Sequence, residues 1–295
     1  PTAPRPTKPS PVIVLLHGWG GMSPYSYGAW IEHLVRRGNV VIYPRYQTHM
    51  LTPPWTMTPA AIRSVRDAFE RLDGTEHVLA DSSRMVLAGH SLGGTLAANI
   101  AALASQNGLP RPAAVLAIQP ADSHAHSDWR TIVPSLLVDH SRIPKDTLLV
   151  LMVGTQDRVA GDTIGKKIFE NATGVATQNK NLLVLSSDRR GQPHLVASHR
   201  QPFAPDRRYN YTGKRQIPAL STGKPPISSH LDAHDFYGTW KLLDALIDTT
   251  YRGTNRQYAL GDTPEQRFLG RWSDGTPIRE FKVILGQNSP SQKRP

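Results

Sequence analysis

Arg84 to Asn99 reads RMVLAGHSLGGTLAAN: an apolar run, then Gly89-His90-Ser91-Leu92-Gly93, then a stretch of small residues with helical character. The order is strand, sharp turn, helix. A Gly-x-Ser-x-Gly turn in that setting forces its central residue into a strained backbone conformation that holds the side chain clear at the sheet edge. Ser91 is that residue. Gly89 and Gly93 leave room where a β-carbon would strike the neighbouring turn, and Gly94, Ala97 and Ala98 let the helix lie close on the sheet. The free N–H groups of the helix N-terminus point at the same place. The spacing therefore predicts a nucleophilic serine; the alternative is an ordinary glycine-rich turn carrying a solvated serine.

Upstream, Pro11 to His17, PVIVLLH, is an unbroken β-branched and leucine run, the pattern of a strand buried on both faces. His17-Gly18-Trp19-Gly20-Gly21 follows. A glycine-rich turn after a central strand can aim a backbone N–H at a developing oxyanion, paired with the N–H that follows the serine. Those two donors are Trp19 and Leu92, although Trp19 also suits a plain packing role.

The strand–helix alternation continues along the chain. YSYGAWIEHLVRRG, from Tyr25, is an amphipathic helix closed by Gly38, and NVVIYPRY is a second buried strand. Thr58 opens another helix, with Pro59 at its first position and an apolar stripe through Ile62, Val65, Ala68, Phe69 and Leu72. After the Ser91 helix come PAAVLAIQP, TLLVLMVGT and NLLVLSS, all buried and parallel by pattern. The fold class is α/β: a doubly wound, mostly parallel sheet with helices on both faces. Gln47 to Met57, QTHMLTPPWTM, is a loop at the carboxyl ends of the strands, where Trp55 is placed on a substrate rim. Ala121 to Lys145 is long for a crossover and reads as a lid-like insertion, with Trp129 on the same rim; His124 and His126 within it read as a polar turn rather than a metal pair.

A serine nucleophile needs an imidazole, held by a carboxylate, to take its proton. Asp157, in Gly154-Thr155-Gln156-Asp157 at the end of the fifth strand, is the candidate acid, with Asp122 and Asp188 as alternatives at neighbouring strand ends. The base belongs on a loop after the sixth strand, where SSDRRGQPHLVASH offers His194 and His199; His230 and His234 precede the last long helix, DAHDFYGTWKLLDALIDTTY.

The composition sets limits on other readings. The chain has 295 residues and a formal charge of +11 from 34 basic and 23 acidic residues. Its cations are spread along the chain rather than gathered on one element or interleaved with aromatics, so no nucleic-acid partner is expected. There is no cysteine, which excludes thiol catalysis, disulfides and thiolate metal sites. No apolar run approaches the ~20 residues of a membrane span. PTAPRPTKPSP, starting at Pro1, reads as a proline-rich tether with a processed or trimmed start, compatible with export.

These motifs together resemble the α/β-hydrolase superfamily over residues 11 to 199, and at that level are similar to esterases, lipases and dienelactone-hydrolase-like enzymes. Ser187 to His199, with Gly191, Pro193, Leu195 and His199, also resembles uncharacterised bacterial relatives, and that resemblance implies His199 rather than His194 as the base. The organisation expected is a tether (1–10), an α/β-hydrolase domain (11–252, with 121–145 inserted) and a C-terminal clasp and tail (253–295). The tail has a short apolar alternation through Ile278, Phe281, Val283 and Leu285, and ends in a disordered GQNSPSQKRP. The implied activity is hydrolysis of small or polymeric carboxylic esters by Ser91, Asp157 and His199, without a cofactor. Amide hydrolysis on the same residues and a binding module with a silent triad are the alternatives.

Overall fold

Apolar runs buried on both sides have nowhere to go but the middle of a layered sheet, and the chain places them there. The computed structural model describes residues 7–73, 78–123, 135–210 and 230–286. Strands β1 (Val12–Leu16), β2 (Val40–Ile42), β3 (Arg84–His90), β4 (Arg111–Ile118), β5 (Leu148–Gly154), β6 (Lys180–Leu185) and β7 (Lys282–Leu285) form one sheet in the order β2-β1-β3-β4-β5-β6-β7. All pair in parallel except β7, which runs antiparallel to β6.

Side chains alternate between two cores. Val12, Val14 and Leu16 of β1, with Met85 and Leu87 of β3 and Leu149, Leu151 and Val153 of β5, face α2 (Met57–Asp73), α3 (Leu92–Leu103) and α4 (Thr163–Asn171). Ile13 and Leu15, with Val86, Ala88, Leu116, Val150 and Met152, face α1 (Gly28–Arg36) and α5 (Lys241–Arg252). This is the doubly wound arrangement expected from the sequence, with helices on both faces. Each fully buried leucine, isoleucine or valine in these cores contributes roughly 1.5–3 kcal/mol.

Three local features differ from the sequence reading. Helix α2 starts at Met57, continuing directly from a 3-10 turn at Pro54–Thr56, so Thr58 does not cap it. The Thr58 hydroxyl accepts from Asn99 Nδ2 (3.1 Å) on α3 instead, which ties two helices together. The C-terminal alternation is more than a clasp: Ile278 and Phe281 are buried in the α5-side core, and β7 extends the sheet. The long helix before it is also not uniform, because a π-helical segment at His234–Trp240 leads into α5.

The insertion after β4 is anchored at its described ends. The Asp122 carboxylate accepts from Ser123 N (2.7 Å), Ser135 Oγ (2.5 Å) and Leu136 N (2.8 Å), which pins its entry to its exit. His124, His126 and Trp129 lie outside the described residues, as do residues 1–6 of the tether and 287–295 of the tail. No helix among the described residues is long and apolar enough to cross a membrane.

Candidate active site

The passage from β3 into α3 is sterically forced. A β-carbon at Gly89 would collide with the Gly93 carbonyl, and one at Gly93 with the Leu16 carbonyl of β1, so only glycine fits at either position. Between them Ser91 takes φ 57° and ψ −126°, a strained conformation for a residue with a side chain. Its N–H donates to Ile118 O (2.9 Å) at the end of β4 and its carbonyl accepts from Gly94 N (2.9 Å) and Ala121 N (3.1 Å). The turn is thereby fixed to the sheet on both sides.

His199 approaches from the loop after β6. Its Nε2 lies 2.8 Å from Ser91 Oγ, and its Nδ1 lies 2.8 Å from Asp157 Oδ2. A carboxylate only accepts, so Nδ1 carries the hydrogen and Nε2 is left to accept from the serine hydroxyl. The other carboxylate oxygen, Oδ1, accepts from Val159 N and Ala160 N, both at 2.9 Å. Burial works to raise the Asp157 pKa, but the bond to His199, its charge and these two N–H groups outweigh burial and hold the carboxyl below its usual value.

The other candidates for acid and base stand elsewhere. Asp122 is used in the insertion, and Asp188 accepts from Arg190 N (3.0 Å) and Arg279 N (2.9 Å). His194 is exposed and bonds the Gly191 carbonyl (2.8 Å). His230 is exposed, whereas His234 is wholly buried in the π-helical segment.

The glycine-rich turn comes close to the serine: a β-carbon at Gly18 would lie 3.1 Å from Ser91 Cβ. Trp19 N–H finds no acceptor among the described residues, and Leu92 N–H, the first of α3, is one of the donors that a helix leaves unpaired at its start. Several side chains hold this turn. His17 is stacked on Tyr46 (ring centroids 4.2 Å apart), its Nδ1–H donates to Gly18 O (2.7 Å), and Tyr46 OH donates to the His17 carbonyl. Burial lowers the His17 pKa to about 4, so the ring is neutral. Gln47, buried at the start of the rim loop, accepts from Gly20 N (2.7 Å), which couples that loop to the turn. Trp55 on the same loop is 53% exposed.

Sequence reasoning singled out neither His17, Tyr46 nor Gln47 for this role. Tyr46 ends the second strand run and Gln47 opens the loop after it, so they read as strand and loop residues. Only the fold brings them under the turn.

The sequence model of a family described as having the alpha/beta hydrolase fold matches residues 13–149. That stretch contains the glycine-rich turn and Ser91; Asp157 and His199 lie beyond it. No curated protein matches the chain.

Proposed function

We propose that the chain, whose seven-stranded sheet and match to a family of the alpha/beta hydrolase fold over residues 13–149 support membership of the α/β-hydrolase superfamily, is a serine hydrolase that cleaves carboxylic esters through an acyl-enzyme. Ser91 is the nucleophile, His199 the base and Asp157 the acid, with the N–H groups of Trp19 and Leu92 as the oxyanion hole. The observation that carries this reading is the continuous hydrogen-bonded line from Asp157 Oδ2 through His199 to Ser91 Oγ.

Each step follows from the groups present. Ser91 Oγ attacks the ester carbonyl as its proton passes to His199 Nε2, and Asp157 stabilises the imidazolium formed. Negative charge gathers on the former carbonyl oxygen, which the N–H groups of Trp19 and Leu92 receive at the positive end of α3. Collapse expels the alcohol, which takes the proton from Nε2. Water then repeats the sequence on the acyl-serine, and its proton returns to Ser91 Oγ through His199.

The test is turnover of p-nitrophenyl acetate by the purified protein and by Ser91→Ala, followed by a panel of acyl lengths, polyesters and peptides. Ester turnover that disappears in the variant supports the reading. Turnover unchanged in the variant rejects it, and absence of turnover on every ester and amide leaves the protein a binding module.

A further inference from the structure

His199 is held by its backbone as well as by its ring. Three successive carbonyls of its segment each accept from a different strand end: Ala197 O from Gln156 N (3.0 Å) after β5, Ser198 O from Gln119 Nε2 (2.8 Å) after β4, and His199 O from His90 Nε2 (2.8 Å) at the end of β3. Two of these donors are side chains. Gln119 is fully buried and sits at φ 46°, a conformation costly for a residue with a side chain, and that conformation accompanies the aim of its amide at the loop.

The directions of the bonds from the His90 ring to His199 and Tyr27 can be assigned. A carbonyl only accepts, so His90 Nε2 carries a hydrogen. Burial, with the neighbouring His199 ring adding to it, lowers the His90 pKa to about 3, so the ring is neutral and Nδ1 is bare. Tyr27 OH, 2.8 Å away, therefore donates to Nδ1, and its oxygen accepts from Gly18 N (3.2 Å). One directed line thus runs from the glycine-rich turn through Tyr27 and His90 to the carbonyl of His199.

We propose that His90 and Gln119 are positioning residues that set where the His199 ring stands over Ser91, and that Tyr27 ties the oxyanion turn to the same frame. This rests on the triad reading above. His199 is fastened to consecutive residues of the elbow, its carbonyl to His90 and its ring to Ser91, so the base and the nucleophile are placed by one turn. A displacement of a fraction of an ångström in the base slows proton transfer without altering how an ester enters the pocket, which separates this role from a binding role.

The experiment compares His90→Leu, His90→Gln, Gln119→Met and Tyr27→Phe with wild type and Ser91→Ala. Steady-state hydrolysis of a short ester, the rate of labelling by a fluorophosphonate and the thermal midpoint are measured for each. Gln119→Met keeps the length of the side chain but has no donor for the Ser198 carbonyl, and His90→Gln keeps a donor and an acceptor on one side chain. His90→Leu and Gln119→Met should lose about 10- to 100-fold in kcat and in labelling rate with KM within about twofold, and His90→Gln should recover most of the loss. Tyr27→Phe should lose less, about threefold to tenfold. Folded variants with unchanged kcat, or a His90→Gln as impaired as His90→Leu, overturn the proposal while leaving the triad standing. If His90→Leu does not fold, Gln119→Met and Tyr27→Phe decide by the same criteria. Activity surviving in Ser91→Ala removes the triad reading itself, and this inference with it.

Discussion

Ser91 and His199 are 108 residues apart in the chain and 2.8 Å apart between Oγ and Nε2. Groups that act as one unit are lost as one unit. Ser91→Ala and His199→Ala should each lower kcat by about 10^4-fold or more, and the double variant should be little worse than either. His194→Ala, whose ring bonds its own loop, should keep most of the rate. Steady-state assays with circular dichroism to verify folding check the set; an inactive His194→Ala beside an active His199→Ala reverses the assignment of the base.

Asp157→Asn keeps the shape but not the acceptor. An amide in place of the carboxylate no longer fixes the hydrogen on Nδ1, and the ring can present the wrong tautomer to the serine. The expected cost is roughly 10^3- to 10^4-fold in kcat with little change in thermal midpoint. A loss below about tenfold would count against Asp157 as the acid.

Trp55 is half-exposed on a loop coupled to the glycine-rich turn by Gln47. If that loop is a substrate rim, Trp55→Ala should change the ratio of kcat/KM between long and short acyl chains by several-fold and leave the acetate rate within about twofold. An unchanged ratio would make the loop purely structural.

Asp235 supplies a prediction about stability. Burial foremost, and then the charge of Asp232, raise its pKa to about 8 against the bond from Asp232 N. Its folded value lies above its unfolded one, so its contribution is full below about pH 4, declines as pH rises and is lost above about pH 8. Asp235→Asn should leave the midpoint in urea higher than that of wild type at pH 9, with the two converging toward pH 5. Parallel curves across that range would contradict the assignment.

The sequence and the structure agree most closely where chemistry is local. The runs at β1, β3, β4, β5 and β6 are continuous and apolar because both faces are covered, and the elbow reads directly because only glycine fits at Gly89 and Gly93. β7 carries a weaker signal: its four residues are exposed or half-exposed, and its place depends on pairing with β6 about a hundred residues earlier. The residues alone do not separate His194, His199, His230 and His234, since spacing on a loop does not give a distance through space. His90 and Gln119 were hidden for another reason. Each lies beside a conspicuous element, and its importance comes from the direction of one donor, which composition and periodicity do not record.

Strand β7 also has a colloidal consequence. Without it, β6 (KNLLVL) would be the rim of the sheet, a row of unpaired N–H and C=O groups flanked by Leu182, Leu183 and Val184, the type of template on which a second chain can add a strand. With β7 in place, the rim is a four-residue strand that begins with exposed Lys282, and at the far side the rim is β2, three residues long. Short rims and a rim lysine both discourage strand addition. A chain cut before Lys282 should therefore self-associate at concentrations where the full chain does not, a difference that light scattering at matched concentration would register.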